Sequence, residues 1–429
     1  MKIDENKLYI NGVSAEEIRK NHGTPVIVYD YDEIIKNISE YRDNFKKNYE
    51  NFSITYASKA FLNRTLCNIL KKENLDIDIV SSGELAIALS ANFPVEKIYF
   101  HGNNKTEEEI NYAIKNNIGT FIIDNLQEAQ KIDKIAKKYD KKIKAIMRLI
   151  PGIEAHTHEY IKTGHIDSKF GFNLYKNHAY YEIEKIQNNL KNIDIKGIGA
   201  HIGSQIFDIK PYEDLLEVLF EFSEKLKNIN IDINIFDIGG GLGVIYTDED
   251  TYISKKEFVE KVSKKTKTLA KKYNKKNPHL IIEPGRSIIA TAGTTLYTVG
   301  NIKENSELTN YIAVDGGMAD NIRPSLYQAK YTAYIANKMK NKKEKIYTIA
   351  GKYCESGDIL IKNIKLPIAE IGDIIAIPVT GAYSYSMASN YNGALKPEVI
   401  IIKNKKSYIM NKRETVEDLL KNDINIKDL

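Results

Sequence analysis

Short apolar runs alternate with longer amphipathic stretches through the first two thirds of the chain. The apolar runs lie at 54–57, 77–80, 97–100, 120–123, 143–149, 195–200, 233–238 and 280–282. Between them, apolar residues recur with helical spacing at 62–72, 83–90, 126–139, 212–226 and 256–273. Eight strands, each but the last followed by a helix, predict a parallel (β/α)8 barrel of the TIM type. An open doubly wound sheet is the alternative that strand counting leaves open.

From about residue 287 the pattern changes to strand-like runs with few long helices between them. These runs lie at 294–299, 311–314, 346–350, 374–379 and 398–402. A further short run at 26–29 precedes the barrel count, so we assign it to the same second domain. The expected organisation is an N-terminal segment (1–30) joining the β domain, a barrel (31–286) and a C-terminal, mostly β domain (287–429).

Composition narrows the class of protein. With 42% hydrophobic and 28% charged residues, the chain is typical of a globular protein rather than a disordered one. A net charge of +5 dispersed along 429 residues predicts neither a nucleic-acid partner nor a membrane partner. The two cysteines, Cys67 and Cys354, favour a reducing compartment, and no apolar run is long enough to span a membrane. We therefore expect a soluble, cytoplasmic protein.

Residues that could take part in catalysis or ligand binding lie directly after the predicted barrel strands, where barrel enzymes place their active sites. Lys59 follows the first strand, and removal from water there would favour its neutral, nucleophilic amine. Three glycines, 239–241, follow the seventh strand and expose backbone N–H groups suited to a phosphate. The remaining strand ends carry Ser81-Ser82-Gly83-Glu84, His101-Gly102-Asn103, His201-Ile202-Gly203-Ser204-Gln205 and Glu283-Pro284-Gly285-Arg286.

A reactive lysine beside a phosphate cradle is what pyridoxal 5′-phosphate requires. The cofactor also needs a charged partner for its ring nitrogen and a group packed against its ring. Glu283 is the candidate for the first role and His201 for the second. A carboxylate there keeps the pyridine nitrogen protonated, so that the ring withdraws electrons.

Nine collinear segments then make the chain similar to a known family. They are GTPVIVYD (23–30), YASKA (56–60), KFGF (169–172), HIGSQ (201–205), DIGGGLG (237–243), EPGRS (283–287), IRPSLY (322–327), CESGD (354–358) and GAYSYSMASNYNG (381–393). Together they resemble the alanine racemase-like, fold type III pyridoxal-phosphate decarboxylases, and within them the diaminopimelate decarboxylase family.

The resemblance implies a role for each matching residue. Lys59 would hold the cofactor, and Cys354, reaching the site from the partner subunit of a homodimer, would be the proton donor. The cofactor would be bound by Lys59, His201, Ser204, Gly240, Glu283, Gly285, Arg286 and Tyr383. The substrate, meso-diaminopimelate, would be bound by Arg286, Arg323, Tyr327, Glu355 and Tyr383. The implied reaction is decarboxylation to L-lysine, the last step of lysine biosynthesis.

Residue usage suits this assignment. The chain has only seven arginines against fifty-five lysines, and Arg286 and Arg323 stand where a two-pronged clamp on a carboxylate is needed. Both ends of diaminopimelate are amino acid heads, so its pocket needs a cation and an anion together. A thiol can donate a proton near neutral pH far better than a hydroxyl.

Other residues of the same types receive structural or peripheral roles. We interpret Cys67 as a buried core residue and the histidines other than His201 as structural. His156, His158 and His165, in a long loop at 151–172, are interpreted as solvated or gating residues, and no metal site is predicted. Ala319, Tyr331, Lys352 and Lys396 depart from the family pattern, and we expect these changes to affect local packing.

Three other functions remain open. A decarboxylase of ornithine, arginine or a carboxylated polyamine would share the fold, but Arg323, Tyr327 and Glu355 argue against it. An alanine racemase would usually place Arg at the pyridine nitrogen. A non-catalytic regulator on the same barrel would be expected to lose Lys59 or Cys354.

Overall fold

The computed structural model describes residues 2–153, 168–305 and 307–427. The chain forms two compact units. One, the barrel unit, comprises Asn37–Gly243 and Thr251–Ser287. The other, the β unit, comprises Met1–Lys36, Val244–Asp250 and Ile288–Leu429.

The strands follow one another along both units. In chain order they are β1 (Lys2–Asp4), β2 (Lys7–Ile10), β3 (Val13–Ser14), β4 (Val26–Asp30), β5 (Phe52–Ala57), β6 (Asp76–Ile79), β7 (Ile98–Phe100), β8 (Thr120–Ile123), β9 (Ile143–Ile150), β10 (Phe172–Asn173), β11 (Ile193–Gly199), β12 (Ile235–Asp237), β13 (His279–Ile282), β14 (Gly293–Lys303), β15 (Tyr311–Val314), β16 (Tyr334–Ile335), β17 (Lys345–Ala350), β18 (Ile359–Leu366), β19 (Ile374–Pro378), β20 (Glu398–Lys403) and β21 (Lys406–Asn411).

The helices lie mainly between the barrel strands. They are α1 (Ala15–His22), α2 (Tyr31–Asn48), α3 (Arg64–Lys72), α4 (Ser82–Ser90), α5 (Glu107–Lys115), α6 (Leu126–Lys138), α7 (His178–Asn189), α8 (Lys210–Leu226), α9 (Lys255–Lys272), α10 (Arg286–Ile289), α11 (Arg323–Tyr327) and α12 (Val416–Leu420). None of these described helices has the length and apolar character needed to cross a bilayer.

The barrel is a closed ring of eight parallel strands. Its order is β5-β6-β7-β8-β9-β11-β12-β13, with Ile281 of β13 in register with Ser53 of β5. Part of the interior is an apolar cluster of Tyr99, Ile122, Ile146 and Ile281. The predicted barrel is therefore confirmed, and all eight predicted runs correspond to its strands.

Polar caps set where the barrel helices begin. The cap side chain accepts a hydrogen bond from a backbone N–H of the first helical turn, which would otherwise lack a partner. Residues in this role are Asn63, Ser81, Thr106, Asn125 and Ser254. Short capped helices return the chain to the next parallel strand, so the carboxyl ends of all eight strands meet at one end of the barrel.

The β unit is built around a mostly antiparallel sheet. Its main path runs β18-β17-β15-β14-β4-β20-β21, and β19 pairs with both β14 and β16. Strand β4 is central: Val28 pairs with Thr294 of β14 on one side and with Ile400 of β20 on the other. The core beside it includes Val26, Val28, Leu296, Ile374 and Ile400.

The unit boundaries differ in detail from the three expected segments. The chain passes between units at Lys36/Asn37 and at Ser287/Ile288, close to the expected positions. The segment Val244–Asp250, which follows β12, belongs to the β unit. Sequence patterns contain no signal for this excursion, because it has neither a linker composition nor a strand of its own.

Candidate active site

Lys59 lies in a single 3-10 turn, Ser58–Ala60, at the carboxyl end of β5. The turn is tied to the next strand because the Ser58 N–H donates to Asp78 Oδ1 at 3.0 Å. The Lys59 side chain is exposed. The expectation that burial in the barrel desolvates this amine is therefore wrong for the described chain. The turn nevertheless holds the lysine at the functional end of the barrel.

A glycine loop after β12 forms a cradle of exposed backbone. Gly239 has φ of 65° and Gly241 has φ of 109°, both in the region that favours glycine. A Cβ atom added to Gly240 would overlap the Glu283 carbonyl oxygen, so only glycine fits there. Asp237 Oδ1 accepts from the Gly239 N–H at 2.8 Å and fixes the start of the loop. Such a loop can present N–H groups to an anion.

Arg286 extends this cradle. It opens α10, and its Nη2 donates to Ser204 Oγ at 3.0 Å. The side chain is only 7% exposed. A nearly buried guanidinium joined to a hydroxyl is suited to an anionic group with several oxygens, such as a phosphate or carboxylate.

His201 approaches the same loop from the carboxyl end of β11. Its Nδ1 accepts from the Gly240 N–H at 3.3 Å. Removal from water lowers the pKa of His201 well below its usual value, and the positive charges of Lys59 and Arg148 add to the effect. The ring is therefore neutral at physiological pH, and a neutral imidazole can pack against an aromatic ring without adding charge.

Glu283, directly after β13, lies in a buried group of acids. Burial alone would raise its pKa, but His101, with further contributions from His201 and a hydrogen bond to Asp237, lowers the pKa to about 2. The two side chains are in contact, with 2.6 Å between His101 Nε2 and Glu283 Oε1. His101, interpreted from the sequence as structural, therefore contacts the proposed partner of the pyridine nitrogen.

Two aspartates missed by the sequence argument complete the group. Burial raises the pKa of Asp78 to about 7, and burial together with the charge of Glu283 raises that of Asp237 well above its usual range. Negative charge is therefore concentrated on Glu283. Both aspartates lie within predicted strands, and their alternation with apolar residues was the only signal that they face the interior.

The barrel end fits pyridoxal phosphate by the chemistry of its side chains. An anion cradle at Gly240, Ser204 and Arg286, a neutral imidazole at His201 and an ionised carboxylate at Glu283 match the phosphate, the ring and the ring nitrogen of that cofactor. Among the described residues, one group, Asp78, His101 and Glu283, also has the ligand types of a metal site, with ligand atoms within 4.8 Å of one another.

The β unit places Arg323 between two tyrosines. Its Nη1 donates to Tyr246 Oη at 3.1 Å and to Tyr331 Oη at 2.5 Å. Its guanidinium also lies over both rings, 5.1 Å and 5.7 Å from their centroids. Tyr331, which departs from the family pattern, thus contributes its hydroxyl to the surroundings of the arginine that is expected to bind the substrate.

The loop that carries Cys354 is closed by Asp358. The carboxylate accepts from the Tyr353 N–H at 2.8 Å and from the Met318 N–H at 2.7 Å. The Cys354 N–H donates to Asn392 Oδ1 at 3.1 Å, which joins CESGD to the 381–393 segment. Cys354 and Glu355 themselves are exposed, so the loop backbone is fixed while its reactive side chains face outward.

The other assigned residues of the β unit are partly buried. Tyr327 ends α11, and Tyr383 has a left-handed φ of 61°. A bulky side chain in that conformation is strained, and such strain is often found at functional sites. His156, His158 and His165 lie outside the described residues, so their interpretation stays a prediction.

Comparison with known proteins addresses the family directly. The profile of the family "Pyridoxal-dependent decarboxylase, pyridoxal binding domain" matches residues 32–290, most of the chain. The chain belongs to the pyridoxal-dependent decarboxylases. This match spans the barrel strands and every barrel-end residue described above.

Similarity to individual proteins covers almost the full length. The diaminopimelate decarboxylase of Bacillus subtilis (strain 168) is 42% identical over 421 residues, covering 98% of this chain and 96% of that protein. The Staphylococcus aureus (strain COL) protein of the same name is 42% identical, with 99% of each chain covered. The crystal structure of the M. jannaschii diaminopimelate decarboxylase with L-lysine has a TM-score of 0.91 at 34% identity, covering 99% of this chain and 98% of that one.

Proposed function

We propose that the protein decarboxylates meso-2,6-diaminopimelate to L-lysine and carbon dioxide, with pyridoxal phosphate as cofactor, as the last step of lysine biosynthesis. The observation that carries the proposal is the charge arrangement at the barrel end. An anion cradle and a carboxylate with a pKa of about 2 flank a neutral imidazole, and Lys59 lies in the turn that follows β5 at the same end of the barrel. The full-length similarity to diaminopimelate decarboxylases supports the substrate.

In this proposal the barrel unit binds and polarises the cofactor. Gly240, Ser204, Gly285 and Arg286 would hold its phosphate, Tyr383 of the β unit would join them, and Lys59 would hold its aldehyde carbon. When bound, pyridoxal phosphate withdraws electrons from the substrate carbon that loses carbon dioxide. The Glu283 carboxylate would stabilise the protonated ring nitrogen, and the neutral His201 ring would cover one face and exclude water.

The β unit would supply the groups that select the substrate and complete the reaction. Arg323 and Tyr327 would bind the distal carboxylate, Glu355 the distal ammonium, and Arg286 and Tyr383 the reacting end. Cys354 would transfer the proton from Sγ to the carbon that has lost carbon dioxide. One C–C bond breaks, one C–H bond forms, and water returns a proton to the thiolate.

We further propose a homodimer in which each active site includes Cys354 from the partner subunit. The exposure of Cys354 and Glu355 supports this, since a proton donor must be shielded from bulk water to act selectively. Action in the cytoplasm stays a prediction that rests on the free thiols of Cys67 and Cys354.

The deciding experiment incubates the purified protein and pyridoxal phosphate with meso-diaminopimelate, ornithine or arginine, and measures lysine, putrescine and agmatine. We expect lysine from diaminopimelate and no product from the other two. Turnover of ornithine or arginine would keep the cofactor chemistry but reject the assigned pocket. Cofactor binding without any turnover would favour a regulator.

A further inference from the structure

The buried acid group at the barrel end contains two carboxyl groups, those of Asp78 and Asp237, to which the proposed reaction gives no role. Asp78, Asp237 and Glu283 are 5%, 3% and 7% exposed. Three ionised carboxylates cannot share such a site without compensation. The imidazole of His101, 12% exposed, has its Nε2 2.6 Å from Glu283 Oε1.

The proton distribution within this group is uneven. Asp78 and Asp237 have raised pKa values, while Glu283 has a lowered one. Asp237 also shares a hydrogen bond with Glu283, which lets it keep a proton while its neighbour stays ionised. Among the three acids, Glu283 is the one whose carboxylate contacts His101, with 2.6 Å between His101 Nε2 and Glu283 Oε1.

We propose that His101 is a positioning residue that holds the Glu283 carboxylate ionised and oriented toward the cofactor's ring nitrogen. This inference rests on the proposed function, since it presupposes that Glu283 pairs with that nitrogen. His101 donates from Nε2 to one carboxylate oxygen, Oε1, and so fixes the orientation of the carboxylate. The residue acts through Glu283 and need not touch the cofactor.

Hydrogen bonds to the barrel strands fix the loop that carries His101. The His101 N–H donates to the Ile79 carbonyl at 2.8 Å, which ties the loop start to β6. Lys105, only 2% exposed, donates from Nζ to the carbonyls of Gly102 at 2.9 Å and Ile122 at 2.8 Å. Lys105 also pairs with the buried Glu128. These contacts fix the backbone of the loop directly after His101.

Other ionisable groups face the same cluster and will contribute to any pH profile. We therefore assign the acid limb, the change in cofactor absorbance at low pH, to Glu283 only if it moves when His101 is changed and disappears when Glu283 is changed. The facing groups are Lys59, Asp78, Glu84, Tyr99, Arg148, His201 and Asp237.

The test compares His101→Leu, which removes the donor, with His101→Gln, whose amide N–H can replace Nε2–H. Glu283→Gln is the reference, and His178→Gln, at an exposed position on α7, is the matched control. For each purified chain we would measure cofactor affinity, the absorbance of the lysine-bound cofactor against pH, kcat, and the Tm of the cofactor-free chain.

For His101→Leu we expect cofactor affinity to fall about 10-fold and kcat about 10- to 100-fold, the range for losing one charge-assisted hydrogen bond. The acid limb of the absorbance should move to higher pH by about one unit or more. His101→Gln should recover part of each effect, and His178→Gln should behave as wild type. A purely structural role would lower Tm and leave the acid limb in place.

An unchanged acid limb in His101→Leu would overturn the proposal. If that variant fails to fold, infrared difference spectra of wild type and Glu283→Gln provide the test. At about pH 4, near the usual glutamate pKa, Glu283 should be ionised. A protonated Glu283 at that pH would refute the proposal. One equivalent of metal in wild type, lost in His101→Leu, would replace the inference with a metal site.

Failure of the proposed function gives a different signature. In that case wild type itself would lack the absorbance of lysine-bound cofactor, or Lys59→Ala would retain it, whatever the His101 variants do. A wild type that binds the cofactor and forms lysine, with a His101→Leu variant indistinguishable from it, would reject only the role of His101.

Discussion

At the barrel end, the acid group is withdrawn from water and held by its own neighbours, whereas on the loop that carries Cys354 the thiol and the adjacent carboxylate face outward. Glu283 has His101 and Asp237 as partners, and its pKa is set within the barrel unit. On the loop, Asp358 fixes the backbone, but Cys354 and Glu355 are exposed. The groups proposed to bind the cofactor are thus prearranged in one unit, while the proposed proton donor would need a further surface to cover it.

The largest effect tests the barrel side of this comparison. Lys59→Ala should reduce kcat by more than ~1000-fold, because the chain could no longer hold the cofactor covalently until the substrate amine replaces the lysine. The absorbance of the lysine-bound cofactor should disappear. Lys115→Ala, an exposed lysine on α5, is the matched control and should leave both readings unchanged. Retained absorbance in Lys59→Ala would show that another amine holds the cofactor.

The loop side is tested by Cys354→Ala. We expect cofactor binding to persist and kcat to fall about 100- to 1000-fold, the usual contribution of a positioned general acid. Cys67→Ala removes the other thiol, which lies buried on α3, and should retain normal kcat once the folded fraction is measured. Normal turnover by Cys354→Ala would exclude the thiol from the mechanism.

Mixing the two inactive chains sharpens the comparison. If Lys59 and Cys354 act in one site but come from different subunits, random exchange of Lys59→Ala and Cys354→Ala chains should restore about a quarter of wild-type activity, because half of the dimers then hold one intact site. The measurement is lysine formation after subunit exchange. Mixtures as inactive as their components would mean that both residues act within one chain.

A smaller effect should follow from loosening Arg323. Arg323→Lys loses the two-pronged contact and should raise KM for diaminopimelate about 10- to 100-fold. Tyr331→Phe removes one hydroxyl from the same arginine and should raise KM only about 3- to 10-fold. Initial-rate kinetics separate KM from kcat. Equal effects of both variants on kcat alone would contradict a role in binding the distal carboxylate.

The smallest expected effect is on stability, and it distinguishes Asp320 from Asp78, two buried aspartates whose pKa values are both raised to about 7. Burial raises the pKa of Asp320, in the β unit, to about 7, where its carboxyl bonds to the Tyr297 hydroxyl and the Gly317 N–H. Because the folded pKa exceeds the unfolded one, ionisation of the unfolded chain between about pH 4 and 7 makes stability fall as pH rises. Asp320→Asn should be more stable than wild type by about 1–3 kcal/mol at pH 8 and equal to it near pH 4.

Thermal unfolding at the two pH values checks this expectation. A difference that does not change with pH would mean that Asp320 ionises at its ordinary pKa. The matched variant Asp78→Asn should differ in kind, since it alters the charge balance around Glu283 and should also change cofactor affinity.

The sequence predicted the parts of the molecule whose signals are local. Each barrel strand is a short apolar run, and the candidate site residues follow directly after those runs, so the position of Glu283 and Gly240 at the barrel end could be predicted. The pairing of His101 with Glu283 could not, because β7 and β13 are not neighbours in the ring and the contact is made across its end. Strands β18 and β21 were missed because exposed residues interrupt β18, β21 has no buried residue, and both lack a clean apolar alternation.

The central place of β4 has a consequence for synthesis on the ribosome. This strand emerges early, yet its partners β14 and β20 are made only after the entire barrel sequence. Chains are synthesised at about 5–20 residues per second and domains fold as units, so the barrel can form while β4 still lacks both neighbours. For that interval Val26–Asp30 is an apolar segment with two unpaired edges, a binding site for chaperones and a point of vulnerability to aggregation.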